Sequence, residues 1–543
     1  MLIKYINFYQ KYLIFFSFIF ILFLGLISVK DYGHSSDESA QRHAGFIELN
    51  YIGEKIAPNI LSRYKDDRVY IDLYDKNYYE KFSGHLLNTF SAFLEVIFKI
   101  DDRRDVFILK HHIYFIIFFL SLISFYKICQ IRFKKWYISI LGVFIIFLSP
   151  RIFANSFYDP KDIPFLSILI FSIHFGLILF EKINLKNLFY FSLFNALVIS
   201  GIRVYGIISP ILILSSIILY SSITKENFKK NFLFVFYCLI LTFVFSVIIK
   251  PSLWESPLTN FIGSFTYLKE FGKIWSIPNL FLGEIILSGD TPWFFSIFWI
   301  FITTPIFYSV LFLIGLTFYF INSLKNVKNI FLNKTFYYDS IFFSLLVIPI
   351  IGSIILRESS FNSWRHLYFI YPYFVIFCLI GFESVLNFLK KDNLKNFFYI
   401  FFLIILFFNL SWIFKNHPYQ YSYFNIFAGK GNLKNKFDID YHGLSYKQNL
   451  EFILNYDDRE KISIVNNSIN KPQLFKYSLN KKSRQRFIFN QNIAKPDYII
   501  TNYFLDDIRK YKKISSDVIE NEYVLFNEII VDGNTINSIY KKK

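Results

Sequence analysis

YLIFFSFIFILFLGLISVKDYGHSSDESAQRH, residues 12–43, runs from an unbroken apolar stretch into a polar turn that carries two adjacent carboxylates, Asp37 and Glu38. The apolar part, 12–29, is long enough as a helix to cross about 30 Å of hydrocarbon, inside which every backbone polar group must be paired within the segment. The turn that follows falls where such a helix would meet water. A basic start and an apolar body also describe a signal peptide, but no small-residue cleavage site follows, so the stretch reads as an uncleaved first span.

The same pattern recurs outward from there. Hydrophobic residues make up 54% of the 543 residues, Phe alone numbers 72, and the formal charge is +18. A soluble chain of that composition would lack the polar surface to cover its core. Further apolar segments of roughly 17 to 25 residues fall near 106–126, 136–150, 164–180, 188–203, 206–222, 231–249, 303–322, 340–356, 366–389 and 397–414. The chain therefore reads as a polytopic α-helical membrane protein with a bundle of about eleven transmembrane helices. The stretch 188–222, split near Arg203, is read as two spans, with one long helix or a re-entrant pair as alternatives.

Loop charge orients the bundle. With a cytoplasmic N-terminus the inner segments carry Lys4 and Lys11, then Lys127, Arg132, Lys134 and Lys135, then Lys182 and Lys186, then Lys225, Lys229 and Lys230, then Lys325, Lys328 and Lys334, and last Lys390, Lys391 and Lys395. Every short inner loop is then basic, as the positive-inside rule requires. The excess charge is thereby explained by topology and not by nucleic acid as a partner. This places the chain in the cell (inner) membrane as a multi-pass protein, with its tail on the periplasmic or extracytoplasmic side. Cys129, Cys238 and Cys378 all lie within apolar runs, which leaves neither a disulfide framework nor a cysteine zinc site.

Two domains are expected, a membrane domain over 1–414 and a small soluble α/β domain over 415–543. In the tail KISIVNN, PDYIITNYF and EYVLFNEIIV read as strands. Two outer loops, 30–105 and 250–302, are too long to be plain turns. Within the first, YEKFSGHLLNTFSAFLEVIF (79–98) has apolar residues at helical spacing and reads as a helix in the interface or packed on the bundle.

The outer charges can be sorted by task. SPRIFANSFYDPKDIPF (149–165) sets Arg151, Asp159, Lys161 and Asp162 between apolar helices, with Pro160 and Pro164 fixing the turn. Arg203, Lys250, Arg357, Arg365 and His366 follow on the same side. Ionisable groups at the mouth of a bundle cost free energy unless they meet partners, substrate or water, so they are functional candidates. Snorkelling is the rival for Lys250 and Arg357, and a hydrogen-bonded structural role is the rival for His366. For Asp37 the alternative is a cap, by Ser36 or Asp37, ahead of a helix that begins near Ala40. Trp254, Trp293 and Trp364 read as interface-belt residues or as platforms for sugar faces. No glycine-rich phosphate loop is present.

These residues carry a resemblance. A first span followed by an Asp-Glu pair, a long outer loop with interfacial helices and a second acidic motif opening the fourth span resemble the GT-C glycosyltransferases, above all the branch of protein O-mannosyltransferases and lipid A aminoarabinose transferases. The resemblance in topology covers about residues 1–414. FYDPKDIPF, SWRHLYFIYP, HPYQYSYFN and FDIDYHGLSY are similar to motifs of a bacterial subgroup of glycosyltransferase family 39-like membrane proteins.

The resemblance implies transfer of a sugar from a polyprenyl-phosphate carrier to a hydroxyl of a lipid, glycan or protein acceptor in the cell envelope, usually with inversion. Asp37 matches the family's first-loop Asp and would be the general base, with Glu38 orienting it or helping to bind a metal. Lys161, Arg203 and Arg365 would face the lipid phosphate, joined by His366. Asp159 and Asp162 would hold Mg²⁺ or Mn²⁺ or position the donor, the alternative being a salt-bridged turn with Lys161 and Arg151. The surroundings of Asp37 depart from the protein mannosyltransferase pattern, which weighs against a protein acceptor. A lipid-linked-sugar flippase would need polar residues near midplane, whereas the strong charges here gather at one face. An outer-leaflet polysaccharide polymerase or ligase would lean on Arg and His in a large outer loop, without the early acidic pair.

Overall fold

The computed structural model describes residues 2–58, 72–75, 78–225, 227–274, 276–325, 330–355, 361–429, 431–470, 472–490, 492–505 and 514–543. Lys328 and Arg357, named above for their charge, lie outside the described residues.

Among the described residues nine helices are long and apolar enough to cross a membrane: Tyr9–Ser28, Arg103–Phe133, Asp162–Glu181, Val204–Thr224, Phe228–Ile249, Ile306–Lys325, Lys334–Ile355, Arg365–Phe388 and Asp392–Lys415. A tenth is broken: Trp136–Phe147 and Pro150–Tyr158 meet at 69°. Pro150 begins the second piece, where its missing N–H and fixed φ stop the first helix from running on. The eleventh apolar segment is the 15-residue helix Leu185–Ile199, too short to meet the same length. The 188–222 stretch is thus two helices, and Arg203 stands at the break between them.

That break receives the first long loop. The N–H groups of Gly84 and Leu86 donate to the carbonyls of Ile202 and Gly201 at 3.1 and 3.0 Å. A Cβ on Gly84 would lie 2.3 Å from the backbone of Gly201, so only glycine lets the two chains meet there. Helix Leu86–Ile97 then buries Leu87, Asn88, Ser91 and Ala92 while Phe90, Phe93, Ile97 and Phe98 stay exposed. One face of this helix packs against the protein and an apolar face points away from it.

The tail forms a five-stranded sheet in the order β2-β1-β3-β5-β4, from β1 (Ile462–Asn466), β2 (Phe487–Phe489), β3 (Tyr498–Thr501), β4 (Tyr523–Val531) and β5 (Asn534–Lys542). The first three are mutually parallel and the last two antiparallel. Asp532 and Gly533, both at positive φ, close the β4–β5 hairpin, as an Asp-Gly pair does in a two-residue turn. Ahead of this sheet, Tyr421, Phe437, Ile439, Tyr441 and Leu444 join the main hydrophobic core of the bundle. The tail therefore crosses the helix ends before it folds on itself.

Candidate active site

At the end of the bundle nearest the tail lies a cleft of about 390 Å³. Asp37, Asp159, Lys161, Asp162, Arg203, Arg365 and His366 all line it. They come from the turn after the first helix, the break before Asp162–Glu181, the break at 200–203 and the loop before helix Tyr371–Phe388.

Asp37 precedes helix Glu38–Ile56 but its side chain makes no capping bond. It is gripped instead by the Arg365 guanidinium. Burial opposes its ionisation, yet Arg365 first, with lesser help from His442, holds the carboxyl down at about 2. Asp162 meets the Arg203 guanidinium at 2.5 Å and Arg365 Nε at 3.7 Å. Arg365 thus stands between two carboxylates.

Asp159 turns its Oδ1 back on the chain, accepting the N–H groups of Lys161 at 2.9 Å and Asp162 at 2.7 Å. Its Oδ2 is buried without a hydrogen-bond partner. Burial and then the neighbouring Asp162 push its carboxyl well above the ordinary range. Lys161 reaches 3.5 Å from Glu80, whose Oε1 accepts the Tyr267 hydroxyl at 3.1 Å. Burial draws the Lys161 ammonium below its usual range.

Several expectations are corrected. Glu38 does not line the cleft: it is fully buried, accepts the Ser35 N–H at 2.8 Å and meets His111 Nε2 at 3.0 Å. Burial opposes the charge on Glu38, but His111 keeps its carboxyl below the usual range. Asp37 faces the cleft and Glu38 faces His111, so the adjacent pair is divided between two surroundings. Arg151 takes no part in a salt-bridged turn. It is buried among the rings of Trp299, Tyr421 and Phe424, 4.7 to 5.1 Å from its guanidinium carbon. Lys250 does not snorkel, since its Nζ donates to the Phe82 carbonyl at 2.7 Å and to Ser264 Oγ at 3.0 Å. None of Trp254, Trp293 and Trp364 lines the cleft, and Trp364 is buried with its indole N–H on Thr303.

The donor set for a metal ion fits poorly. Asp37 and Asp162 are each paired with guanidinium groups, while Asp159 Oδ2 has no hydrogen-bond partner. Among the described residues no group of three or more His, Cys, Asp or Glu side chains comes together that could hold a metal ion.

Sequence reasoning missed Glu80, Tyr267, Phe361 and Tyr441, all of which line the cleft. The rings of Phe361 and Tyr441 lie 5.0 and 5.3 Å from the Arg365 guanidinium carbon. Next to Tyr441, His442 is fully buried, its Nε2 lies 3.3 Å from Asn362 Nδ2, and burial pushes it down to about 4. Glu80 lies in YEKFSGHLL and Tyr441 in FDIDYHGLSY, where the apolar spacing of the first and the acidic residues of the second are the stronger local signals.

No family model and no curated protein matches the sequence. Among solved structures the chain is similar to ArnT from Cupriavidus metallidurans in the apo state, at 9% identity over 96% of this chain and 97% of that one, with a TM-score of 0.45. The same protein bound to undecaprenyl phosphate gives 9% identity over 97% of each chain and a TM-score of 0.44. The archaeal oligosaccharyltransferase AglB from Archaeoglobus fulgidus, in complex with an inhibitory peptide and a dolichol-phosphate, gives 11% identity over 98% of this chain and 75% of that one, with a TM-score of 0.48.

Proposed function

We propose that this chain is a membrane glycosyltransferase that moves a sugar from a polyprenyl-phosphate carrier to a hydroxyl of a lipid, glycan or protein acceptor. The observation that carries the reading is the cleft itself, where one partly exposed carboxylate, Asp37, faces the three cations Lys161, Arg203 and Arg365 at the mouth of a membrane bundle. The motif resemblance supports the same chemistry, and basic loops at the far end support an extracytoplasmic position for the cleft.

In this reading the acceptor oxygen attacks the anomeric carbon as the bond from that carbon to the phosphate oxygen breaks. The acceptor proton passes to Asp37, and the polyprenyl phosphate leaves with its charge against the cations. A positioned base contributes about a hundredfold or more to such a step. Guanidinium groups offer fixed forks of donors to the oxygens that gain charge. Attack opposite the departing phosphate gives inversion.

Arg365 has two claims on it. A carboxylate held at about 2 by a guanidinium is a weak base. An arriving phosphate competes with Asp37 for that guanidinium, and as Arg365 turns to the donor, Asp37 regains its basicity beside the acceptor.

The test is transfer from a radiolabelled polyprenyl-phosphate sugar in membranes, comparing the native chain with Asp37→Asn. Transfer lost in the variant supports Asp37 as base, whereas equal transfer removes it from that role. A native chain inactive with every polyprenyl-phosphate sugar offered would overturn the reading as a whole.

A further inference from the structure

We infer that Tyr441, carried by the tail and not by the membrane bundle, is a positioning residue for Arg365, so that the tail completes the cleft. The inference rests on the proposed role of Arg365 toward the donor phosphate.

The stretch 438–445 is held from both sides. Within it, Asp440 accepts the Leu444 N–H at 3.1 Å and the Ser445 hydroxyl; on the sheet side, Asn502, just past β3, donates to the Asp440 carbonyl at 2.8 Å. On the bundle side, the His442 carbonyl accepts the N–H of Ser36, next to Asp37, at 3.2 Å. Between these anchors the Tyr441 ring has little choice of place. It stands 5.3 Å from the Arg365 guanidinium carbon and 6.4 Å from the Phe361 ring, centroid to centroid, so the two rings form a cradle. Phe361 and Arg365 flank Asn362 and Ser363, both at positive φ, and this turn is tied to the tail through the Tyr421 hydroxyl on Asn362 Oδ1.

A cradle of rings does what the carboxylates cannot. Asp37 must let go of Arg365 when a phosphate arrives, whereas the face of an aromatic ring attracts the cation in both states and asks nothing of its hydrogen-bond donors. Arg365 Nε makes no hydrogen bond, with Asp162 standing 3.7 Å away, so the rings add a hold on the plane of the guanidinium that does not use its donors. The aromatic ring is the required feature, and the Tyr441 hydroxyl is not.

The experiment uses the full chain in three variants, Tyr441→Phe, Tyr441→Leu and Phe361→Leu, with Phe361→Leu approaching the same cradle from the bundle side should Tyr441→Leu fail to fold. For the radiolabelled polyprenyl-phosphate sugar, Tyr441→Phe should keep the native KM, and each Leu variant should raise it by roughly tenfold with a smaller change in kcat. Independently of transfer, thermal unfolding of Tyr441→Leu, Arg365→Met and the double variant should give Tm shifts that do not add. Additive shifts, or a Leu variant with native KM, would overturn the inference. A native chain without transfer would fall on the proposed function alone, because the unfolding cycle still decides whether Tyr441 and Arg365 are coupled.

Discussion

Arg365 grips the carboxylate of Asp37 across 328 positions of chain, tying the start of the first long loop to the start of a late membrane helix. The pair has a pH signature. Asp37 is held at about 2, below its ordinary 3.8, so the unfolded chain binds its proton more readily than the folded one. Its contribution to stability is complete above about pH 4 and disappears as pH falls through about 2. The Tm gap between the native chain and Asp37→Asn in detergent should therefore be widest above pH 4 and close toward pH 2. A gap constant across that window would show that Asp37 is not held by Arg365.

Glu38 should behave as a support. Glu38→Ala strands His111 Nε2 and the Ser35 N–H in a buried space, at a cost of about 1–3 kcal/mol. Glu38→Gln keeps an acceptor for Ser35. The expected result is a lowered Tm for Glu38→Ala with Glu38→Gln close to native in transfer. A Glu38→Gln variant with native Tm and transfer reduced as far as in Asp37→Asn would return Glu38 to the chemistry.

Asp440 gives the opposite pH sign. Burial pushes it up to about 7, against the lowering pull of Ser445 and Asn502. Between about 3.8 and 7 the folded chain holds a proton that the unfolded chain has released, so this group makes stability fall as pH rises through that window, with no further loss above it. Asp440→Asn cannot ionise. Its Tm relative to the native chain should climb from pH 4 to pH 7 and then level off, as followed by thermal unfolding over that range.

What the sequence made legible follows from which forces are local. Hydropathy is a property of a short window, so each of the eleven apolar segments appears as helix, and ionisable groups such as Asp37, Asp162, Arg203 and Arg365 stand out between them because lipid tolerates so few. The break at Ser149 and Pro150 was visible as a proline but not as a bend, since a bend depends on what packs around it. Glu80 and Tyr267 meet across 187 positions, and Phe361 and Tyr441 are two aromatic residues in a chain that is 22% aromatic. Only tertiary contact separates such rings from the rest.

Two membrane helices approach backbone to backbone at a pair of glycines. Helices Ile306–Lys325 and Tyr371–Phe388 cross at Gly315 and Gly381. A Cβ on Gly315 would lie 1.8 Å from the Phe377 carbonyl oxygen, and one on Gly381 would lie 2.1 Å from that of Leu311. These obstacles are backbone, which cannot rotate aside, so a single methyl must push the helices apart. Small residues at such crossings let membrane helices gain their packing contacts. Gly381→Ala should therefore destabilise by about 1–3 kcal/mol, as overpacking does. Because helix Tyr371–Phe388 follows directly on the turn that carries Arg365, the same variant should also raise the KM for the donor. Gly352→Ala is the matched control, since a Cβ there meets nothing within 4 Å. Equal Tm values for the two alanine variants would show that the helices do not meet backbone to backbone at Gly381.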